Sequence, residues 1–193
     1  MSHFDYDPLG DTVISVDTVD TVDWTREELH YPGPEGRTVI AYLYLPKHAA
    51  APHQTLVYAP PLPVHAGWFS VSYSVEDMLA PHIKAGRAVF AAVPNGGTER
   101  PSPEGYSPPA QGSIEMRENV SKWVVEHRLG LDYLTRRDDI DADRIGLFSL
   151  SGGGASLILP IVEARFNTAV YVGVGMVPEF TQRVPEANPV NYV

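Results

Sequence analysis

The apolar residues fall into short runs between Pro- and Gly-rich breaks, and strand-like runs alternate with helix-like ones. Glu28-Leu-His-Tyr31, the turn formers Pro32–Gly36 and the run Thr38–Leu45 predict a β-hairpin. Thr55–Ala59 predicts a short strand of the kind buried in a parallel sheet. Pro60-Pro-Leu-Pro63 ends it abruptly. Ser74 with Asp77 reads as a capping box opening a helix to about Ala85, with Pro81 inside it and Gly86 as its C-cap. Arg87–Val93 predicts the next buried strand, and Pro94–Gly112 a long loop dense in Pro and Gly. Loops of that length in compact domains are usually functional or mobile. Ser113–Arg137 predicts a long helix with Val120, Trp123, Val124, His127, Leu131 and Leu134 on one face, which makes His127 a packing residue. Asp138–Asp143 turns the chain into a strand at Arg144–Phe148, a helix follows to about Glu163, and Thr168–Val174 is the last strand. The polar, acidic stretch 1–23, with its local repeat Val16–Asp23, reads as an extended lead-in, and Pro178–Val193 as irregular. A hairpin followed by β-α-β-α-β-α-β predicts an α/β fold, with a mainly parallel sheet and an antiparallel N-terminal hairpin in one domain, 24–193.

The most informative segment is Arg144–Gly154, Arg-Ile-Gly-Leu-Phe-Ser-Leu-Ser-Gly-Gly-Gly. It is a strand running into small-x-Ser-x-Gly and then into a helix, the pattern of a nucleophile elbow formed by Ser149, Leu150, Ser151, Gly152 and Gly153. The chemistry explains the small residues. The serine at the tip, Ser151, must stand on a tight strand-to-helix turn, where bulky neighbours would collide with the adjoining strand and helix. The helix N-terminus beneath it offers backbone N–H groups to a developing oxyanion, the first of them on Gly152. A second donor is expected from the loop after the Thr55–Ala59 strand, where three of the four residues Pro60–Pro63 are prolines without an N–H, so Leu62 is the donor.

Acyl transfer also needs a base oriented by an acid, in the chain order Ser, Asp/Glu, His. All seven histidines precede Ser151, and of them only His65 lies in a plausible active-site loop. Glu163 and Glu179 are the carboxylates that follow the elbow before the terminal segment. Other patterns fail on inspection. Asp139-Ile-Asp141-Ala-Asp143 imitates a calcium loop but has Arg144 where the turn glycine belongs. Gly173-Val-Gly175 imitates a dinucleotide fingerprint but runs into Pro178.

Composition narrows the classes. The chain has 193 residues, 44% hydrophobic and 20% charged, which suffices for one domain with a sizeable core. A net charge of −10 argues against a nucleic-acid surface or an anionic membrane as partner. With no cysteine, disulfides and thiolate zinc sites are excluded; no metal or cofactor is expected. The N-terminus lacks a basic region followed by an apolar run, and no apolar stretch is long enough to span a bilayer. A cytoplasmic protein is the expectation.

Phe4–Asp7, Val39–Pro46, Gln54–Tyr58, Ala85–Val89, Asp132–Leu134, Asp139–Asp141 and the elbow together resemble the α/β-hydrolase domains of the dienelactone-hydrolase and prolyl-oligopeptidase kind. Within that group the chain resembles the domains often attached to bacterial serine/threonine protein kinases. The resemblance implies Ser151 as nucleophile and Leu62 and Gly152 as the oxyanion hole. The chain departs from the pattern at Ser149, where relatives have glycine, and at Pro61 and Pro63. Relatives continue with two more strands bearing the acid and the histidine, so the resemblance implies a C-terminally truncated enzyme. Thr168–Val174 would then be an apolar edge open to a second copy or a complementary chain. The expected function is hydrolysis of small-molecule carboxylic esters through an acyl-enzyme on Ser151. A serine peptidase and a non-catalytic interaction domain are the alternatives.

Overall fold

The structure, a computed structural model, describes residues 3–10, 12–61, 68–102, 113–151 and 154–173. Seven strands form one sheet: β1 (Ile14–Asp20), β2 (Trp24–Pro32), β3 (Thr38–Pro46), β4 (His53–Ala59), β5 (Ala88–Ala92), β6 (Ile140–Leu150) and β7 (Thr168–Val172). Their order is β1-β2-β3-β5-β4-β6-β7. The first four in that order pair antiparallel. From β5 through β4 and β6 to β7 every pairing is parallel. The hairpin lies where the sequence places it, with Tyr31 opposite Val39. Residues 14–20 add a strand to it, with a bulge between Ser15 and Asp17. Their valines recur every third position, which hides the period of two that marks a strand.

The central strands β3, β4 and β5 are buried on both faces, and their alternate residues go to opposite layers. On β5, Ala88, Phe90 and Ala92 join one core cluster, while Val89 and Ala91 join the other. The first layer is closed by the long helix α3 (Ile114–Leu134), the second by α1 (Val71–Met78) and α2 (Ala80–Lys84). Ser113 caps α3 by accepting from Met116 N. For α1 the capping residue is Ser70, whose side chain accepts from Tyr73 N, rather than Ser74. Ser74 is instead buried and shares a hydrogen bond of 2.8 Å with Tyr58 Oη. Gly86 ends α2 with φ 93°, a conformation that favours glycine, and its N–H reaches Ile83 O. His127 is fully buried, with Nδ1 2.9 Å from Trp123 O, as a packing residue would be.

The N-terminal residues are strapped across α3. Tyr6 Oη and Leu9 N donate to the Asp132 carboxylate, and Arg128 Nη1 donates to Phe4 O. Behind the strap, Glu163 accepts from Arg165 Nη2 at 2.6 Å and from Arg128 Nε at 3.0 Å. Burial works against the charged carboxylate, yet these arginine hydrogen bonds hold Glu163 at about 2. Because that lies below its unfolded value, the bonds stabilise the fold fully above about pH 4.5 and are lost as pH falls toward 2. Glu163→Gln should therefore lower the urea midpoint at pH 7 and flatten its decline between pH 4.5 and 2.

Candidate active site

The carboxyl ends of β4, β5, β6 and β7 share one edge of the sheet. The chain leaves β4 for β5 on one side and later returns to β6 on the other, so the strand order reverses at β4. Crevices outside the carboxyl ends at such a reversal are where open α/β sheets bind ligands.

Ser151 stands directly beyond the last residue of β6, exposed, with φ 58°. Among the described residues only Glu35 shares a positive φ without being glycine. A left-handed backbone costs an ordinary residue about 1–2 kcal/mol, so the surroundings must enforce it. They do so from two sides. Ser151 N donates to Val172 O at 2.7 Å, which ties the turn to the end of β7. Below it, Ser149 Oγ and Ser156 Oγ lie 2.6 Å apart, both fully buried. This bond bridges β6 to the 3₁₀ turn Gly154–Leu157 on the far side of the elbow. Ser149 is thus a tether between the end of β6 and the turn that follows. A Ser149→Ala, Ser156→Ala double-mutant cycle should return a coupling of about 1 kcal/mol in urea denaturation.

The apolar run after the elbow folds as that 3₁₀ turn followed by a short helix, α4 (Leu159–Val162), with Pro160 in its first turn, rather than as one continuous helix. Leu62, His65, Gly152, Gly153 and Glu179 lie outside the described residues. Leu150 ends β6 opposite Val172 and packs against the α1–α2 layer. Glu163 is engaged by Arg128 and Arg165 and belongs to the strap. No hydrogen bond joins a histidine to Ser151 among the described residues. His82, on α2, packs its ring 5.9 Å from Phe148 in the layer beneath the edge. Among the described residues no cluster of three His, Cys, Asp or Glu could hold a metal ion, and no helix is long and apolar enough to cross a membrane.

No protein-family model and no curated protein sequence matches the chain. Solved structures do. An acetyl xylan esterase from Paenibacillus sp. R4 aligns with a TM-score of 0.66 over 96% of this chain, at 18% identity. Acetyl xylan esterase 1 from Thermoanaerobacterium sp. JW/SL YS485 aligns at 0.60 over 85%, with 16% identity. A glucuronoyl esterase from Solibacter usitatus aligns at 0.57 over 86%, with 19% identity. The chain has an α/β-hydrolase fold. It spans 62% of the length of the first of these proteins and 52% of each of the other two. Ser151 stands at the turn by which the chain leaves β6. The cluster of small residues is the sequence signal that singles out this turn; the buried Ser149–Ser156 bond left no signal beyond the two residue types.

Proposed function

We propose that the chain carries the nucleophile half of an esterase site, acting on carboxylic esters borne by carbohydrate. The observation that carries this reading is the exposed Ser151 in a left-handed turn at the end of β6. The ester linkage and its carbohydrate carrier are taken from the structural relatives named above, two acetyl xylan esterases and a glucuronoyl esterase. Ser151 Oγ attacks the ester carbonyl while its proton passes to a base. The oxyanion is held by the N–H groups of Gly152 and Leu62, the alcohol leaves with a proton, and water then hydrolyses the acyl-enzyme. No histidine follows Ser151 in the sequence, so no residue of this chain is assigned as the base or its orienting acid. The same machinery would serve an amide.

The test is intact-mass spectrometry of the folded chain after incubation with a fluorophosphonate, beside Ser151→Ala. A single adduct that disappears in the variant is the expected result. A folded chain that takes up no adduct overturns the assignment. That outcome would favour a second reading, an interaction module. β7 is the last strand of the sheet among the described residues, with Val170 and Val172 exposed by 45% and 43%. An edge of that kind pairs readily with a second copy or a complementary chain.

A further inference from the structure

We propose that the cavity between the N-terminal strap, the β2–β3 turn and α3 binds a monocarboxylate with an apolar body, of the kind a medium-chain fatty acid presents. The cavity holds about 660 Å³, within the range of small-molecule sites. Its floor is apolar: Leu9 from the strap and Val125 and Leu129 from α3 line it. Pro8, Pro32 and Pro34 add hydrocarbon to its walls. The cavity lies beside the β2–β3 turn, and β3 stands three places from β6, roughly 15 Å across the sheet. It is therefore separate from the crevice at Ser151, and the proposal stands apart from the esterase reading.

The observation that selects the ligand is Arg117, which lines the cavity from the first turns of α3. Its side chain is only 24% exposed, yet among the described residues it makes no hydrogen bond. The carboxylate of Glu118 is its one ion-pair contact, with Oε1 4.0 Å from Nη2, too far for a hydrogen bond. The other arginines around α3 are matched. Arg100, Arg128, Arg137 and Arg165 each reach a carboxylate at 3.0 Å or less. Arg117 Nε is sealed from solvent, but Nη1 and Nη2 stay within reach of it. A guanidinium drawn mostly out of water, with its outer donors open to a cavity and unpaired, calls for an anion there.

The remaining charges decide which anion. Lys122 Nζ is already paired with Glu35 at 2.7 Å, so it adds little attraction. Asp5, Asp7 and Glu118 stand at the rim, exposed, where water and salt screen them. Their repulsion is weaker than the pull of the half-withdrawn guanidinium on a single negative charge, but it grows with the charge of the ligand. A phosphate dianion is disfavoured on that ground, and it would leave the apolar floor uncovered. A monocarboxylate fits both: its two oxygens match the Nη fork, and its hydrocarbon body covers Leu9, Val125 and Leu129.

The test is isothermal titration of the folded chain with sodium octanoate, beside octylammonium chloride and inorganic phosphate. Octanoate should bind with a Kd below about 1 mM, and the other two should bind at least tenfold more weakly, on the order of 10 mM or above. Arg117→Gln should weaken octanoate about tenfold without lowering the melting temperature, since it removes no hydrogen bond within the protein. Arg117→Lys, which keeps the charge without the fork, should lose less. Asp7→Asn should leave octanoate binding intact or tighten it. Octanoate affinity should be the same in Ser151→Ala, which keeps this result distinct from the outcome of the fluorophosphonate experiment. Absence of saturable binding by octanoate overturns the proposal. So does an affinity unchanged in Arg117→Gln, or octylammonium or phosphate binding as tightly as octanoate.

Discussion

Arg100→Ala should destabilise the fold by about 3–5 kcal/mol, as expected when one member of a buried ion pair is removed. Arg100 Nη2 lies 2.7 Å from Glu126 Oε1, and both side chains are more than nine-tenths buried. Burial pushes the Glu126 carboxyl up, and the Arg100 guanidinium works against that. Without Arg100, Glu126 is a buried carboxylate whose nearest cation is gone, and its pKa rises further. A raised folded value means that the penalty is full at high pH and is relieved as pH falls through that value. The urea midpoint of the variant should thus approach that of the parent chain on acidification. Arg100→Met with Glu126→Leu should cost less than Arg100→Ala alone, because it leaves no charge behind. If the single substitution costs under about 1 kcal/mol at pH 7, the pair does not join the loop after β5 to α3 in the way its geometry indicates.

Gly130→Val should cost about 3 kcal/mol, at the upper end of what overpacking a core does. Gly130 sits inside α3, where glycine is a poor helix former by roughly 1 kcal/mol. Packing accounts for its presence. A Cβ on Gly130 would come within 2.4 Å of Phe90 Cζ and 3.2 Å of Tyr31 Oη. Phe90 is fully buried on β5, and Tyr31 Oη donates to Glu126 O at 3.0 Å, so neither has room to withdraw. Phe90→Leu in the Gly130→Val background should recover part of the loss by vacating that volume. A Gly130→Val variant as stable as the parent would show that α3 can lift from the sheet without cost.

Much of this architecture was legible in the sequence because burial writes its own period. The hairpin, β4, β5, α3 and β7 were found from runs of apolar residues and the breaks between them. The run of small residues from Ser149 marks where β6 ends and Ser151 takes a positive φ. The misreadings have physical causes. Ser74 and Asp77 imitate a cap, but Val71, Val75 and Leu79 at spacing of four carry the helix back to Ser70. The strand at 14–20 owes its form to pairing with β2, which no local pattern announces. The Arg100–Glu126 pair joins a loop to a helix 26 positions away, and charge composition gives no hint of which arginine meets which glutamate.

The position of β4 also sets the order in which the molecule can be made. On a ribosome, the strands β1 to β3 can zip together as they emerge, since each pairs with its neighbour in the chain. Thr55 pairs on one side with Ala88 and on the other with Ile145, ninety positions later. The sheet therefore grows in two instalments, and through the second interval β4 presents an apolar, unpaired flank to whatever is nearby. Slow non-local pairing of this kind exposes a nascent chain to aggregation. The turn that holds Ser151 can close only after β6 and β7 have docked, so it is assembled last and is the first part surrendered when that end of the sheet opens.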